Sequence, residues 1–319
     1  MTELSDVAAV SAPLPWQQSN WRHVGDQIEA GRLPHAILLA GPHGLGKGDF
    51  ALALARLLLC HRPNAGLNCG ECPACAQTAG GVHGDLRWLS PEEKSKVIKI
   101  DQVRASIDFV SRTASYGSRK VLVLQPADAM TLSAANALLK CLEEPAGDTT
   151  IILVCEKLHA LPATVRSRCQ LVKFDVPPIA ASLDWLDTVT GDRQASEALL
   201  ALAEDRPLPA KSLFEDGDAE TVAARRAILD AVTEGAATVA QARELLTGME
   251  LEEALELLVA HTQRRLRDLP ARQLRSARAQ GLYHLLDRLA RDRRALVAGA
   301  NPNRDVMLDR LLSELAVVG

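Results

Sequence analysis

Three groups of residues in this sequence have the types and spacing to do chemistry. The first is Gly41-Pro-His-Gly44-Leu-Gly46-Lys47, which satisfies the first seven positions of the phosphate-loop pattern G-x-x-x-x-G-K-[ST]. A glycine turn opening onto a helix N-terminus aims backbone N–H groups at one point, and Lys47 adds a cation, so the loop has the form of a polyphosphate cradle. The eighth position, where Ser or Thr places a hydroxyl on Mg²⁺, is Gly48. The second group should answer the loop from the end of the third strand, Leu124-Gln125-Pro126-Ala127-Asp128. Metal-assisted hydrolysis needs an Asp there to hold Mg²⁺ and, in many such sites, a neighbouring Glu to polarise water. Gln125 is neutral, Pro126 has no acid–base function, and Asp128 is three residues further on, turned away from the loop. Three needed positions are missing together, which argues against turnover and against ATP as a cofactor. Gly41, Gly44, Gly46 and Lys47 are read as a vestigial phosphate loop, and Lys47 receives no catalytic role.

The third group is cysteine. Cys60, Cys69, Cys72 and Cys75 are spaced C-x8-C-x2-C-x2-C. Two residues between thiolates let a tight turn present two sulfurs to one metal, and Gly70 and Pro73 supply the turn chemistry. Four sulfurs with no position left for water suggest a closed, structural Zn²⁺ site. Free thiols or a C-x-x-C redox pair are the competing readings, and an iron–sulfur cluster has no supporting pattern elsewhere. His61, beside the first of the four, reads as a surface residue.

These groups need a scaffold, and the composition allows one. The chain has 319 residues, 47% hydrophobic and 24% charged, enough for two or three domains with real cores. Aromatic residues are only 3%, and the wealth of Leu and Ala favours helices over an all-β fold. Met1–Val10 is short, mildly acidic and without an apolar segment, so no signal peptide is expected. No apolar run reaches the ~18 residues of a membrane span, Arg56 interrupting the best candidate. A net charge of −4 argues against a wholly nucleic-acid-binding surface. Seven cysteines without a secretion signal read as reduced thiols or metal ligands, and the expected location is cytoplasmic.

Residues 1–13 read as a loose leader, and a helical stretch is expected from Leu14 to about Ala30. Ala36–Ala40 is a buried strand, and Phe50, Ala53, Leu54, Leu57 and Leu58 form one stripe of the helix after the loop. Further strands are expected at Asp85–Leu89, Lys120–Leu124, Ile151–Cys155 and Leu171–Phe174. Helices are expected at Ile98–Arg112, capped by Asp101, and at Asn136–Glu144. Such alternation predicts an α/β fold with a doubly wound parallel sheet. After Pro177-Pro178 the chain reads as helical throughout, with a break near Leu213–Gly217. Between Ser196 and Val259 there are 14 acidic and 5 basic residues, and between His261 and Arg294 there are 3 acidic and 10 basic. Helix faces pairing with one another explain this most simply; a DNA or protein contact from Arg264 to Arg294 is the rival reading. The apolar stripe Leu282, Leu285, Leu286 and Leu289 must be buried somewhere, and oligomerisation is one way to do it.

The segment Asn136-Ala-Leu-Leu-Lys-Cys-Leu-Glu-Glu-Pro145, the triplet Ser167-Arg168-Cys169 and the four-cysteine insertion together carry a resemblance. They resemble bacterial DNA polymerase III clamp-loader subunits of the AAA+ class, densely over residues 14–175 and weakly in the C-terminal helices, including Ala300-Asn-Pro-Asn303. Within that family the chain is similar to the branch with a degenerate nucleotide site. It departs from the ATP-hydrolysing tau/gamma branch at Gly48, Gln125 and Pro126, and at Cys141, a conservative helix change.

The resemblance implies an AAA+ domain over 1–175 with a zinc insertion at 60–75, a small helical lid over 176–213, and a helical collar for oligomerisation over 214–319. It implies a subunit that is not an enzyme on its own but belongs to a DNA polymerase holoenzyme and helps load a sliding clamp onto primed DNA. Its partners would be tau/gamma-like ATPase subunits and a clamp-opening delta subunit, in a hetero-oligomer without a membrane. Arg168 would be an arginine finger reaching a neighbour's nucleotide, with Arg166 a second candidate. Spacing alone reads Arg168 as a salt bridge at a helix end. Two alternatives stand beside this reading: an active, tau/gamma-like AAA+ ATPase, and a zinc-containing nucleic-acid-binding protein.

Overall fold

Runs such as Ala36–Ala40 and Arg119–Leu124 are apolar on both faces, and such strands are stable only with helices covering each side. The computed structural model, which describes residues 8–93, 95–117, 119–297 and 300–318, has that arrangement. Its strands are β1 (Ala36–Ala40), β2 (Leu86–Leu89), β3 (Arg119–Leu124), β4 (Asp148–Cys155) and β5 (Gln170–Lys173). They form one five-stranded sheet in the order β2-β3-β4-β1-β5. Every pairing is parallel, and Leu38 lies level with Leu153 on one side and Leu171 on the other.

The side chains alternate as the two-residue period requires. Leu38, Leu122, Leu124, Ile151 and Leu153 face one core, which holds Val103 and Val110 of α4 (Ile100–Ser111) and Leu138 and Leu142 of α5 (Leu132–Glu143). Ile37, Leu39, Val121, Val123, Ile152 and Val154 face the other. There they meet Trp21 and Val24 of α1 (Gln18–Glu29) and Phe50 and Leu54 of α2 (Lys47–Leu59). Trp21, Phe50 and Phe174 stack edge to face in series at 5.1 and 5.2 Å. The sheet is thus doubly wound.

Helix boundaries differ locally from expectation. Asp101 does not cap α4 but lies in its first turn, while Lys99 takes the cap position. Helix α5 begins at Leu132, a turn before Asn136, because the Thr131 hydroxyl accepts from the Ala134 N–H at 3.2 Å. The expected leader falls on residues 1–7 outside the described residues. Residues 8–11 are not loose, since Arg56 binds the Ala8 and Ala9 carbonyls at 2.6 and 2.9 Å and the Ser11 hydroxyl at 2.6 Å. Between α2 and β2 lies α3 (Pro73–Ala79), with Pro73 at its first position, and before β5 lies α6 (Ala163–Arg166).

Residues 1–215 form one compact unit, completed by α7 (Ile179–Thr190), α8 (Arg193–Leu202) and α9 (Pro207–Glu215). Residues 216–319 form the other, built from α10 (Ala219–Thr233), α11 (Val239–Leu245), α12 (Leu251–Arg267), α13 (Ala277–Val297) and α14 (Arg304–Val318). Leu285 and Leu289 belong to this second unit's core with Leu255, Leu258, Leu308 and Leu312, and Leu282 packs beside Leu266. The Leu282–Leu289 stripe is therefore consumed inside its own unit and is not a face left over for assembly. Part of the basic stretch is paired: Arg264 Nη2 donates to both Asp230 oxygens at 2.8 and 2.9 Å, and Arg265 and Arg293 bind Glu234 and Glu256. Among the described residues, no helix is long and apolar enough to cross a membrane.

Candidate functional site

The phosphate loop has its expected place, leaving β1 and entering α2, and its glycines pack closely against other segments of the chain. Gly41 passes so close to β5's end that a Cβ there would lie 2.2 Å from the Phe174 carbonyl oxygen. Gly44, at φ +81°, leaves room for Pro209 of α9, whose Cδ would be 2.4 Å from a Cβ. Gly46, at φ +75°, lies against Leu14, and the Gln17 amide donates to the Leu45 and Gly46 carbonyls at 2.8 Å each. Lys47 is 4% exposed, and its ammonium donates to the Pro42 carbonyl of its own loop at 2.6 Å. Burial lowers the Lys47 pKa, opposed by the carboxylates of Glu156 and Asp128.

At the strand end, Gly48 and Gln125 are matched. A Cβ on residue 48 would lie 2.9 Å from both the nitrogen and the oxygen of the Gln125 amide, so the end of that side chain lies directly against Gly48 and would have to shift for any side chain there. The Gln125 Oε1 is buried and has no hydrogen-bond partner among the described residues. Asp128 is committed elsewhere: its two oxygens accept from the Glu156 and Lys157 N–H groups at 3.0 and 3.2 Å. A cavity of about 580 Å³ remains beside the loop, lined by Lys47, Arg206, Asp49 and Glu156 among others. The cavity thus carries two cations and two carboxyl groups, and burial raises the pKa of the Asp49 carboxyl.

Arg168 follows α6 and is partly exposed. Its Nε donates to Glu143 Oε1 at 2.6 Å, its Nη2 pairs with the same oxygen, and its Nη1 donates to the Thr164 carbonyl at 2.9 Å. Glu143 ends α5 within the Asn136–Pro145 segment, so two of the sequence signatures meet here. Cys169 next to it is inert, burial pushing its thiol up to about 11. Arg166, at the end of α6, is exposed.

The four cysteines converge. All four sulfurs lie within 4.8 Å of one another, with separations of 3.9 Å for Cys60–Cys72, 3.9 Å for Cys69–Cys75 and 3.7 Å for Cys60–Cys75. A Zn²⁺ ion at ~2.3 Å from each of four tetrahedral sulfurs would give edges of about 3.8 Å, so the donor set fits that ion. Backbone N–H groups already serve the sulfurs: Cys69 donates to Cys60 Sγ at 3.2 Å and Cys72 to Cys69 Sγ at 3.4 Å. The N–H groups of Glu71 and Cys72 draw the Cys69 thiol down to about 6, the thiolate form a metal needs, while burial pushes Cys60 up to about 12. His61 is exposed, as its reading required.

Residues 16–178, just over half of the chain, match the family model described as DNA polymerase III, delta subunit. The chain belongs to this family. Among its relatives, the DNA polymerase III subunit delta′ of Pseudomonas aeruginosa is 46% identical over 205 residues, covering 64% of this chain and 62% of the relative. The Escherichia coli subunit delta′ is 35% identical over 202 residues, covering 63% and 60%. The matched region thus spans about three fifths of these relatives' length. A solved DNA polymerase III gamma subunit-related protein from Thermotoga maritima superposes with a TM-score of 0.55 at 22% identity, covering 93% of this chain and 98% of that one. At that identity it speaks for the fold alone: a parallel sheet with helices on both faces, followed by a helical region.

Several residues around these sites in this delta-family chain were not legible from the sequence. Glu156 and Arg206 line the cavity, yet no motif marks either. Gln17 and Arg56 act on partners 19 to 48 residues away, which local spacing cannot reveal.

Proposed function

We propose that the chain is a non-hydrolysing, delta-prime-like subunit of a DNA polymerase III clamp loader. The observation that carries this is the Gly48–Gln125 pair, two residues that lie against each other and offer Mg²⁺ neither a hydroxyl nor a carboxylate. The Lys47 ammonium turned onto Pro42 supports it further. In this reading the chain stands in a cytoplasmic hetero-oligomer with tau/gamma-like ATPase subunits and a delta subunit. It helps load a sliding clamp onto primed DNA while itself hydrolysing nothing. Residues 1–175 serve as the AAA+ domain, 176–213 as its lid and 214–319 as the collar. The four cysteines hold a structural Zn²⁺ that keeps the 60–75 insertion folded.

Arg168 is the residue we assign to work done for a neighbour. An arginine supplied in trans spreads positive charge over the equatorial oxygens in phosphoryl transfer and is worth roughly 10³–10⁵ in rate. Partial exposure of Arg168, held by Glu143, the Thr164 carbonyl and the Ser167 hydroxyl, supports its release to such a phosphate. Two measurements test the reading. Titration of the purified chain with ATP and Mg²⁺ should give no magnesium-dependent heat and no turnover; tight binding with hydrolysis would make the chain an ATPase. In a reconstituted complex, Arg168→Ala should lower turnover at the site it faces by roughly 10³-fold or more. An unchanged rate with the variant incorporated removes the trans assignment.

A further inference from the structure

Helix α2 ends on a buried guanidinium that ties together two parts of the chain with no sequence motif in common. Arg56 is 1% exposed. It donates to the Ala8 carbonyl and the Ser11 hydroxyl at 2.6 Å each, and to the Ala9 carbonyl at 2.9 Å. Toward the cysteine module it donates to Thr78 Oγ1 at 3.2 Å and to the Cys75 carbonyl at 3.4 Å. Asn68, also 1% exposed, repeats the bridge. Its oxygen accepts from the Ser11 N–H at 2.8 Å, and its nitrogen donates to the Ala9 carbonyl at 2.9 Å and to Cys75 Sγ at 3.4 Å. Gly70, between two of the cysteines at φ +77°, completes the seat: a Cβ there would lie 3.0 Å from Val10 Cγ2 and 3.2 Å from the Ala9 oxygen.

A buried guanidinium is costly unless an opposite charge faces it. The five acceptors of Arg56 are three carbonyls and two hydroxyls, so only a fixed arrangement of all of them holds the guanidinium. One ion shared by the four sulfurs fixes Cys75, whose carbonyl accepts from Arg56 and whose sulfur accepts from Asn68. A fixed Arg56 fork is in turn what holds residues 8–11 in place.

We propose that Arg56 and Asn68 couple metal loading of the four-cysteine cluster to docking of the segment Ala8–Ser11, so that the segment is ordered when Zn²⁺ is bound and released when it is not. This rests on the zinc reading of the cluster. Coupling of this kind is reciprocal, so what loosens the segment must weaken the metal by the same factor.

The test uses the full chain, loaded with Zn²⁺ and then stripped with a chelator. Hydrogen exchange is followed over residues 8–14, with β1 and β4 as internal references, and Zn²⁺ affinity is measured by chelator competition. Stripping should speed exchange at the Ser11 amide by about 10-fold or more while the two strands keep their protection. Arg56→Met and Asn68→Ala should each weaken Zn²⁺ by about 10- to 100-fold, as loss of a group supporting a metal ligand does. Ser11→Ala, which touches no cysteine, should weaken it by about fivefold through the lost hydroxyl contact alone. Arg56→Lys, keeping the charge without the fork, should retain more Zn²⁺ affinity than Arg56→Met while exchange at Ser11 still rises. Equal exchange over residues 8–14 in the two states overturns the coupling, and so does loss of protection throughout the sheet, which would make the response global. A chain that never takes up one Zn²⁺ removes the zinc reading itself, and the coupling with it. The stripping experiment on the unaltered chain decides the matter even if a variant fails to fold.

Discussion

Helix α2 carries a buried cation at each end, and the two have opposite surroundings. Lys47, at its start, donates to one carbonyl of its own loop. Arg56, in its last turn, makes five hydrogen bonds that reach into two other segments. The loop end keeps the outline of a ligand site, but its groups are spent on one another: Lys47 on Pro42, Gln125 against Gly48, Pro209 against Gly44. The cysteine end has the reverse character, with four donors converging on one centre at near-tetrahedral spacing. A motif specifies a shape. Whether its donors converge on a common point decides whether the shape still binds anything.

The largest effect should come from breaking that convergence. Cys75→Ser leaves three thiolates and a weak hydroxyl, and Zn²⁺ affinity should fall on the order of 10³-fold, read by chelator competition and metal content per chain. A variant that holds Zn²⁺ as tightly as the parent would mean the four sulfurs do not share one ion. At the loop end the corresponding probe is steric. Gly44→Ala must place a methyl 2.4 Å from Pro209 in a backbone region that alanine avoids. Overpacking and strain together should cost about 2–4 kcal/mol in chemical unfolding of unit 1. A loss below about 1 kcal/mol would show that α9 does not press on the loop in solution.

How much of this contrast was legible beforehand depends on range. The five strands, the loop and the cysteine set rest on contiguous residues whose periodicity or spacing says what they do. The cap of α5 is also readable, since Thr131 precedes Leu132 and Ser133, but the strongest helical pattern, Asn136-Ala-Leu-Leu, lies one turn downstream. Asp101 failed as a cap because an acidic residue is equally at home in a first turn, where it meets the helix dipole. The Leu282–Leu289 stripe announced burial without naming its partner, and the partners are α12 and α14 of its own unit. Gln125 reads as a missing acid; only the fold reveals that it also occupies the space above Gly48.

A third buried base, in the other unit, sets a scale for what burial does without a forked set of acceptors. His261 is 4% exposed, close to the Thr233 hydroxyl at 2.9 Å, and burial lowers its pKa to about 4 against the pull of Asp230. The unfolded chain takes up a proton near pH 6.5 that the folded unit refuses until about 4, so stability is full above 6.5 and falls as the pH drops between those values. At pH 5 the loss should be about 2 kcal/mol relative to pH 7.5. Protection of α12 against hydrogen exchange, corrected for intrinsic rate, reads it. His261→Gln should flatten the dependence, and an unaltered slope in that variant would assign the loss to other groups.

The smallest effect is the most diagnostic. Lys47→Met removes the ammonium that any working phosphate loop needs, so in a hydrolysing subunit it abolishes nucleotide binding. Here the ammonium is already buried and donates to a single carbonyl. The variant loses one charge-assisted hydrogen bond and gains relief from burying a cation, terms that nearly offset, so the stability change should stay within about 1 kcal/mol. Turnover of a reconstituted complex should be unchanged, in contrast to the fall expected for Arg168→Ala. A large loss of turnover with Lys47→Met would mean that the loop meets a phosphate in the assembly after all. The difference between the two ends of α2 would then be one of occupancy rather than of construction.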